Sequence, residues 1–316
     1  MKIFKIIAIN LILLLFVLLI GETACFINAF SFQHQYIPKT TETIKYLFSR
    51  YSTDVCTEYY DVPNEKMRPT EGKNFKKNPI ILFGCSVTYG NKLSDGENFS
   101  GTLSKMTKRP VYNMAGDGWT FSHMLKNLQA NPVLENLNPD YVIYTFIKDQ
   151  KRRLYFYQGW PHDTGLYLRY KLDKNNNLVE VIPHNNIFWR SYLVKSIQYQ
   201  IQINKNENET ATDTLMLRIL GESTQIMKKR YPNAKFIMLL YSDSDCQKGE
   251  RDIFSDKEFL SEYEENEIKK LGYEIVNIEQ EMGFPPCTPE YKVDDHHPSA
   301  KFWNEFTPKL VKKFKM

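Results

Sequence analysis

Three compact apolar runs punctuate an otherwise mixed chain. They are Pro79-Ile80-Ile81-Leu82-Phe83, Asp140-Tyr141-Val142-Ile143-Tyr144-Thr145-Phe146 and Lys235-Phe236-Ile237-Met238-Leu239-Leu240-Tyr241. Each is short and compactly apolar, which predicts buried strands. Val111-Tyr112-Asn113 and Tyr273 to Ile278 predict two more strands. Between them the apolar positions change to helical spacing. Phe99, Leu103 and Met106 fall on one face of a helix, Trp119 to Ala130 predicts a second, Leu215, Ile219 and Ile226 mark a third over Thr212 to Tyr231, and Ala300 to Phe314 predicts a terminal one. Asp256 to Leu271 is a further helix rich in acids, whose charge run reads as a solvated face. Strand alternating with helix implies right-handed crossovers and a parallel sheet, and in such sheets ligands bind outside the carboxyl ends of the strands.

The N-terminal pattern is different. Lys2 and Lys5 precede an apolar run from Ile6 to Ile20, broken by Asn10 and ended by Gly21-Glu22; with its flanks through Ile27 it approaches the ~20 residues that a bilayer core needs. The run fits a signal anchor or a cleaved signal peptide. No small-x-small cleavage site follows directly, and Glu22 spoils Thr23-Ala24-Cys25 as a lipoprotein site, so the anchor is the favoured reading. Lysines before the span place the N-terminus in the cytoplasm and the body of the protein outside it. Residues 1–27 are thus expected to be a transmembrane helix, 28–78 a stalk without convincing period, and 79–316 one α/β domain with an aromatic-rich insertion at about 151–210.

Composition narrows the function classes. The 316 residues carry 41 Lys and Arg against 37 Asp and Glu, a net charge of +4 spread along the chain, which is no nucleic-acid footprint. Aromatic residues make up 14%. They are dense in the insertion, where Tyr155, Tyr157, Trp160 and Tyr170 lie among Arg152, Arg153 and Arg169; this suits either a sugar-binding cleft or a lid packed on its own rings. The five cysteines are Cys25, Cys56, Cys85, Cys246 and Cys287. Outside the cytoplasm a disulfide is permitted, and Cys246 with Cys287 is the first pair to test. No cofactor is called for. Asp294-Asp295-His296-His297 has metal-ligating residue types, but adjacent histidines usually point apart, so no metal is expected.

Two blocks carry candidate chemistry. Gly84-Cys85-Ser86, at the end of the first run, puts a serine where a strand turns sharply into the next element, with backbone N–H donors nearby. Most such serines only cap a turn, so a nucleophile needs a base, and Asp294 to His297 near the other end supplies one. With Gly90 and the Asp-x-x-His spacing, these blocks resemble those of the SGNH (GDSL-like) hydrolase superfamily, over roughly Pro79 to the C-terminus. The resemblance implies a three-layer α/β/α sandwich with a flavodoxin-like parallel sheet. It also implies Ser86 as nucleophile, His297 as base, Asp294 as the acid orienting it, and the N–H groups of Ser86 and Gly116 as oxyanion donors.

The sequence departs from the family at two points. Cys85 replaces an aspartate, and Ile147-Lys148-Asp149 stands where Gly-x-Asn would supply a third oxyanion donor. Asp149 would serve there if protonated; otherwise Arg152 or Arg153 replaces it, or catalysis is degraded. Arg152, Arg153 and Trp160 are the candidate substrate-binding residues. The expected activity is hydrolysis of O-acyl groups, acetyl foremost, on a cell-envelope glycan. The alternatives are an O-acyltransferase with the same triad and a weakened SGNH-like domain that binds glycan. The expected partners are an acylated carbohydrate or other ester and the membrane.

Overall fold

The structure, a computed structural model, describes residues 10–24, 71–116, 118–155, 169–181, 209–242, 259–285, 288–294 and 296–316. The chain divides into two compact units. The first comprises Met1–Asp61, Tyr155–Arg169 and Glu180–Glu209, and its longest described piece is helix α1 (residues 10–24), whose side chains from Leu11 to Ile20 are exposed. Among the described residues no helix is long and apolar enough to cross a membrane. Most of the aromatic insertion, Trp160 included, and Cys25, Cys56, Cys246 and Cys287 lie outside the described residues.

The second unit holds five parallel strands: β1 (Ile80–Phe83), β2 (Val111–Asn113), β3 (Tyr141–Phe146), β6 (Lys235–Leu240) and β7 (Tyr273–Asn277), in the order β2-β1-β3-β6-β7. Ile80 pairs with both Val111 and Tyr141, Tyr141 with Lys235, and Phe236 with Tyr273. All four residues of β1 and all six of β3 are buried, which explains why these strands read as continuous apolar runs rather than as alternating ones. Each fully buried Leu, Ile or Phe side chain contributes ~1.5–3 kcal/mol.

Ile80, Leu82, Ile143, Ile237 and Leu239 belong to the cluster that packs on α3 (Phe99–Thr107) and α9 (Ala300–Phe314), where Phe99 stacks on Trp303 at 4.5 Å. On the other face Tyr144 stacks at 4.4 Å on Phe121 of α4 (Phe121–Ala130), and α6 (Glu209–Arg230) buries Leu215, Met216, Ile219, Leu220 and Met227. Helices thus cover both faces of the sheet. A separate ribbon of β4 (Arg169–Leu172) and β5 (Leu178–Val181) is tied to α4 by Tyr170 Oη donating to Gln129 Oε1 at 2.9 Å.

Several expected boundaries shift. Glu71, inside the expected stalk, pairs antiparallel with Val111, and the second compact unit begins at Val62. The second helix starts at Phe121 because Thr120 accepts from Ser122 N and His123 Nδ1 accepts from Thr120 N. The acid-rich helix, α7 (Glu262–Lys270), starts where Ser261 and Glu264 form a capping box, and its charge run is not wholly a solvated face: Glu264 is completely buried and ion-paired with Lys151. The third helix, expected from Thr212, begins at Glu209 as α6.

Candidate active site

Ser86 owes its position to Gly84. After β1 the backbone of Gly84 takes φ 154°, and a Cβ there would lie 2.2 Å from Thr88 Oγ1 and 3.2 Å from the Thr145 carbonyl. Only glycine fits that turn. Cys85 is extended, and Ser86 opens the one-turn helix α2 (Ser86–Tyr89), so its N–H belongs to a first turn with no intrahelical acceptor. The Cys85 side chain packs in the core, in place of the polar contacts an aspartate would seek.

The neighbouring strand ends frame Ser86. Asn113, closing β2, donates to the Thr88 carbonyl at 3.0 Å and accepts from Ala115 N at 3.2 Å, which fastens the second loop to α2. Three residues beyond Asn113 comes Gly116, where a Cβ would meet the Trp119 indole at 2.4 Å. Trp119 in turn stacks on His123 at 5.2 Å. Burial pushes His123 down to about 3, so its ring is a neutral capping acceptor rather than a second base. Leu82 pairs with Asn113 and with Ile143, so the residues after β2, β1 and β3 emerge side by side at one end of the sheet.

The base loop enters from the chain's other end. Val293 N donates to the His297 carbonyl at 3.0 Å, Ser299 N to Tyr291 O at 2.8 Å, and Tyr241 Oη, just after β6, to His296 O at 3.3 Å. Ser299 also caps α9 by accepting from Phe302 N. At the loop's tip His297 Nδ1 lies 2.9 Å from both Asp294 oxygens, and Nε2 lies 2.9 Å from Ser86 Oγ. A carboxylate only accepts, so the ring proton sits on Nδ1 and Nε2 is left to accept from the serine hydroxyl. Asp294 also accepts from His296 N at 2.9 Å and His297 N at 2.7 Å, and its Oδ2 lies 2.7 Å from Lys92 Nζ. Burial works to raise Asp294, but the Lys92 ammonium and the N–H groups of His296 and His297 outweigh it and hold the carboxyl well below the usual carboxylate range.

A serine after the first strand, an Asp-x-x-His loop before the last helix, and the two joined by hydrogen bonds at the carboxyl end of a parallel sheet are the arrangement that the two sequence blocks imply. The fold is a parallel sheet with helices on both faces. No family model matches the chain, and no curated protein matches it. Among solved structures, it is similar to a carbohydrate esterase family 2 enzyme from Corynascus (Myceliophthora fergusii), at 13% identity and a TM-score of 0.42, covering 75% of this chain and 65% of that one. It is also similar to an acetyl xylan esterase from Butyrivibrio proteoclasticus, at 11% identity and a TM-score of 0.43, covering 76% and 63%. A third is a protein assigned to the G-D-S-L lipolytic family from Desulfitobacterium hafniense, at 10% identity and a TM-score of 0.43, covering 75% and 99%. The chain therefore spans less than two thirds of the length of these two carbohydrate esterases. Likenesses this distant do not say what the chain acts on.

The structure brings Ser86, Asp294 and His297 into one hydrogen-bonded row and sets Gly116 at the adjoining strand end. The third block behaves differently. Asp149 opens α5 (Asp149–Tyr155), and its Oδ2 accepts from Arg153 Nε at 2.5 Å. Its carboxylate is thus engaged as an acceptor, and Arg153 is paired with it rather than turned to a ligand alone. The neighbouring Gln150 takes Ile147 N and Tyr144 Oη on its Oε1, both at 3.3 Å, which fixes the end of β3. The Arg152 side chain and Trp160 lie outside the described residues, as does Asp295. Lys92, Asn113 and Tyr241 were not among the expected site residues; no spacing or motif marks them, although Gly90-Asn91-Lys92 has the composition of a turn.

Proposed function

We propose that the chain is a serine ester hydrolase that removes O-acyl groups, acetyl foremost, from a cell-envelope glycan, anchored by its N-terminal apolar run with the site outside the cytoplasm. The observation that carries the reading is the 2.9 Å contact of Ser86 Oγ with His297 Nε2, with Asp294 at Nδ1. In this reading Ser86 Oγ attacks the ester carbonyl while His297 Nε2 takes its proton. The N–H groups of Ser86 and Gly116 meet the oxyanion, and His297 returns the proton to the departing alcohol. Water then repeats the sequence on the acyl-enzyme and releases the acid and Ser86. The aromatic-rich insertion lends the glycan substrate its support, and the exposed apolar residues of α1 lend the anchor its own.

The test is hydrolysis of p-nitrophenyl acetate by the full chain in detergent, native against Ser86→Ala. Turnover is expected to fall by at least about 10³ in the variant. Native turnover that survives the substitution would remove Ser86 as nucleophile. One observation favours a weakened glycan-binding domain instead, namely the pairing of Asp149 with Arg153 where a third donor is expected. Serine-independent binding of an acetylated oligosaccharide, with no turnover, is the result that would select it.

A further inference from the structure

The loop leaving the nucleophile's helix holds a lysine in an uncommon backbone state. Gly90 N and Asn91 N both close on the Ser86 carbonyl, at 2.9 and 3.1 Å, and Leu93 N returns to Gly90 O at 3.1 Å. Lys92, third in that turn, has φ 64°. Glycine or asparagine usually fills such a position, because a side chain there crowds the backbone. A lysine held there despite the strain invites a functional explanation, and its ammonium lies 2.7 Å from Asp294 Oδ2.

Among the described residues the other donors to Asp294 come from its own loop: the His296 and His297 N–H groups and the His297 ring. Lys92 comes from the serine's side. We propose that Lys92 is a positioning residue for the hydrolysis: it clamps the Asp294 carboxylate from the nucleophile's loop and so keeps the His297 ring aligned on Ser86 Oγ. The proposal rests on the reading of Ser86, His297 and Asp294 as a catalytic triad.

The groups facing His297 are Asp294 on one nitrogen, the Ser86 hydroxyl on the other and Lys92 through Asp294; His296 adjoins it, its carbonyl taken by the Tyr241 hydroxyl. Lys92 has 62% of its side chain exposed, so water screens much of its field. The contact therefore acts through geometry, at the 2.7 Å between Nζ and Oδ2. The clamp also fixes the carboxylate plane, and with it the ring tautomer.

The test compares native full chain with Lys92→Met, Lys92→Arg and Lys92→Gly by two readouts. One is the split of kcat against KM on p-nitrophenyl acetate; the other is the His297 Nδ1–H resonance by NMR, assigned by its absence from His297→Gln and readable without turnover. In Lys92→Met the Nδ1–H resonance is expected to broaden as the ring loosens, with kcat falling several-fold and KM nearly unchanged. Lys92→Arg is expected to restore both. Lys92→Gly, freed of backbone strain, is expected to keep or raise the Tm while broadening the resonance and lowering kcat as Lys92→Met does, a combination that a merely structural lysine would not give. An Nδ1–H resonance and a kcat both unchanged in Lys92→Met overturn the role assigned to Lys92. Absence of serine-dependent turnover in the native chain overturns the hydrolase reading, and the two failures are read from different measurements.

Discussion

Two aspartates, each beside a lysine, sit in opposite electrostatic settings. Asp294 gathers N–H donors and the Lys92 ammonium, which together outweigh its partial burial, and its carboxyl is held well below the usual range. Asp213, on α6, meets Lys151 at 3.5 Å but shares it with the fully buried Glu264, which Lys151 contacts more closely. Burial, and then the hydrogen bond to Glu264, push Asp213 up to about 6 against the pull of Lys151. One lysine serving one carboxylate favours the charge; one lysine serving two leaves the second carboxylate short of compensation. The first arrangement orients a base, and the second ties α5, α6 and α7 together.

Substitution at each cluster should separate the two roles. Asp294→Asn is expected to lower kcat by about 10³ to 10⁴, because an amide no longer fixes the Nδ1–H tautomer. Steady-state kinetics check it, and a loss below tenfold would break the contrast. Lys151→Met should do the reverse, lowering stability by about 3 kcal/mol in urea unfolding as Glu264 is left buried without its cation, with kcat/KM little changed. The smallest effect is in the pH dependence, and the two aspartates have opposite signs. Asp213 is raised in the folded state, so it releases its proton more readily when unfolded, and its contribution to stability is lost as pH rises between about 4 and 6. Asp294 is lowered, so its contribution is present above about pH 4 and is lost on acidification below that. Urea midpoints from pH 4 to 7 should therefore lose part of their decline in Asp213→Asn; an unchanged slope would place that titration elsewhere.

The sheet was legible in the sequence because its strands are buried on both faces. Ile80 to Phe83, Tyr141 to Phe146 and Phe236 to Leu240 have no solvent-facing positions to interrupt the apolar run. The triad residues stood out because serine, aspartate and histidine occupied recognisable blocks, although the doublets Asp294-Asp295 and His296-His297 left the register to be fixed by geometry. Lysines were a different matter. Lys92 and Lys151 lie in polar stretches where a charge reads as solvated, and their partners are fixed only when the sheet brings loops of distant parts of the chain together. Glu264 was hidden for the same reason: a helix with many acids carries no local mark of the one turned inward. The helix start at Thr120 was missed because the second half of its capping box is a histidine, where glutamate or glutamine is the usual signal.

The hydrogen bond from Ser86 to His297 joins residues 211 positions apart. During synthesis the serine turn therefore emerges long before its base, and the first three strands can pair before His297 is made. The chain passes through most of its assembly unarmed. Its reactive hydroxyl is engaged only when the loop before α9 has docked, and non-local closures of this kind come late. A nick anywhere in the connecting segments that freed the C-terminal loop would disarm the protein while leaving β1 and its serine in place.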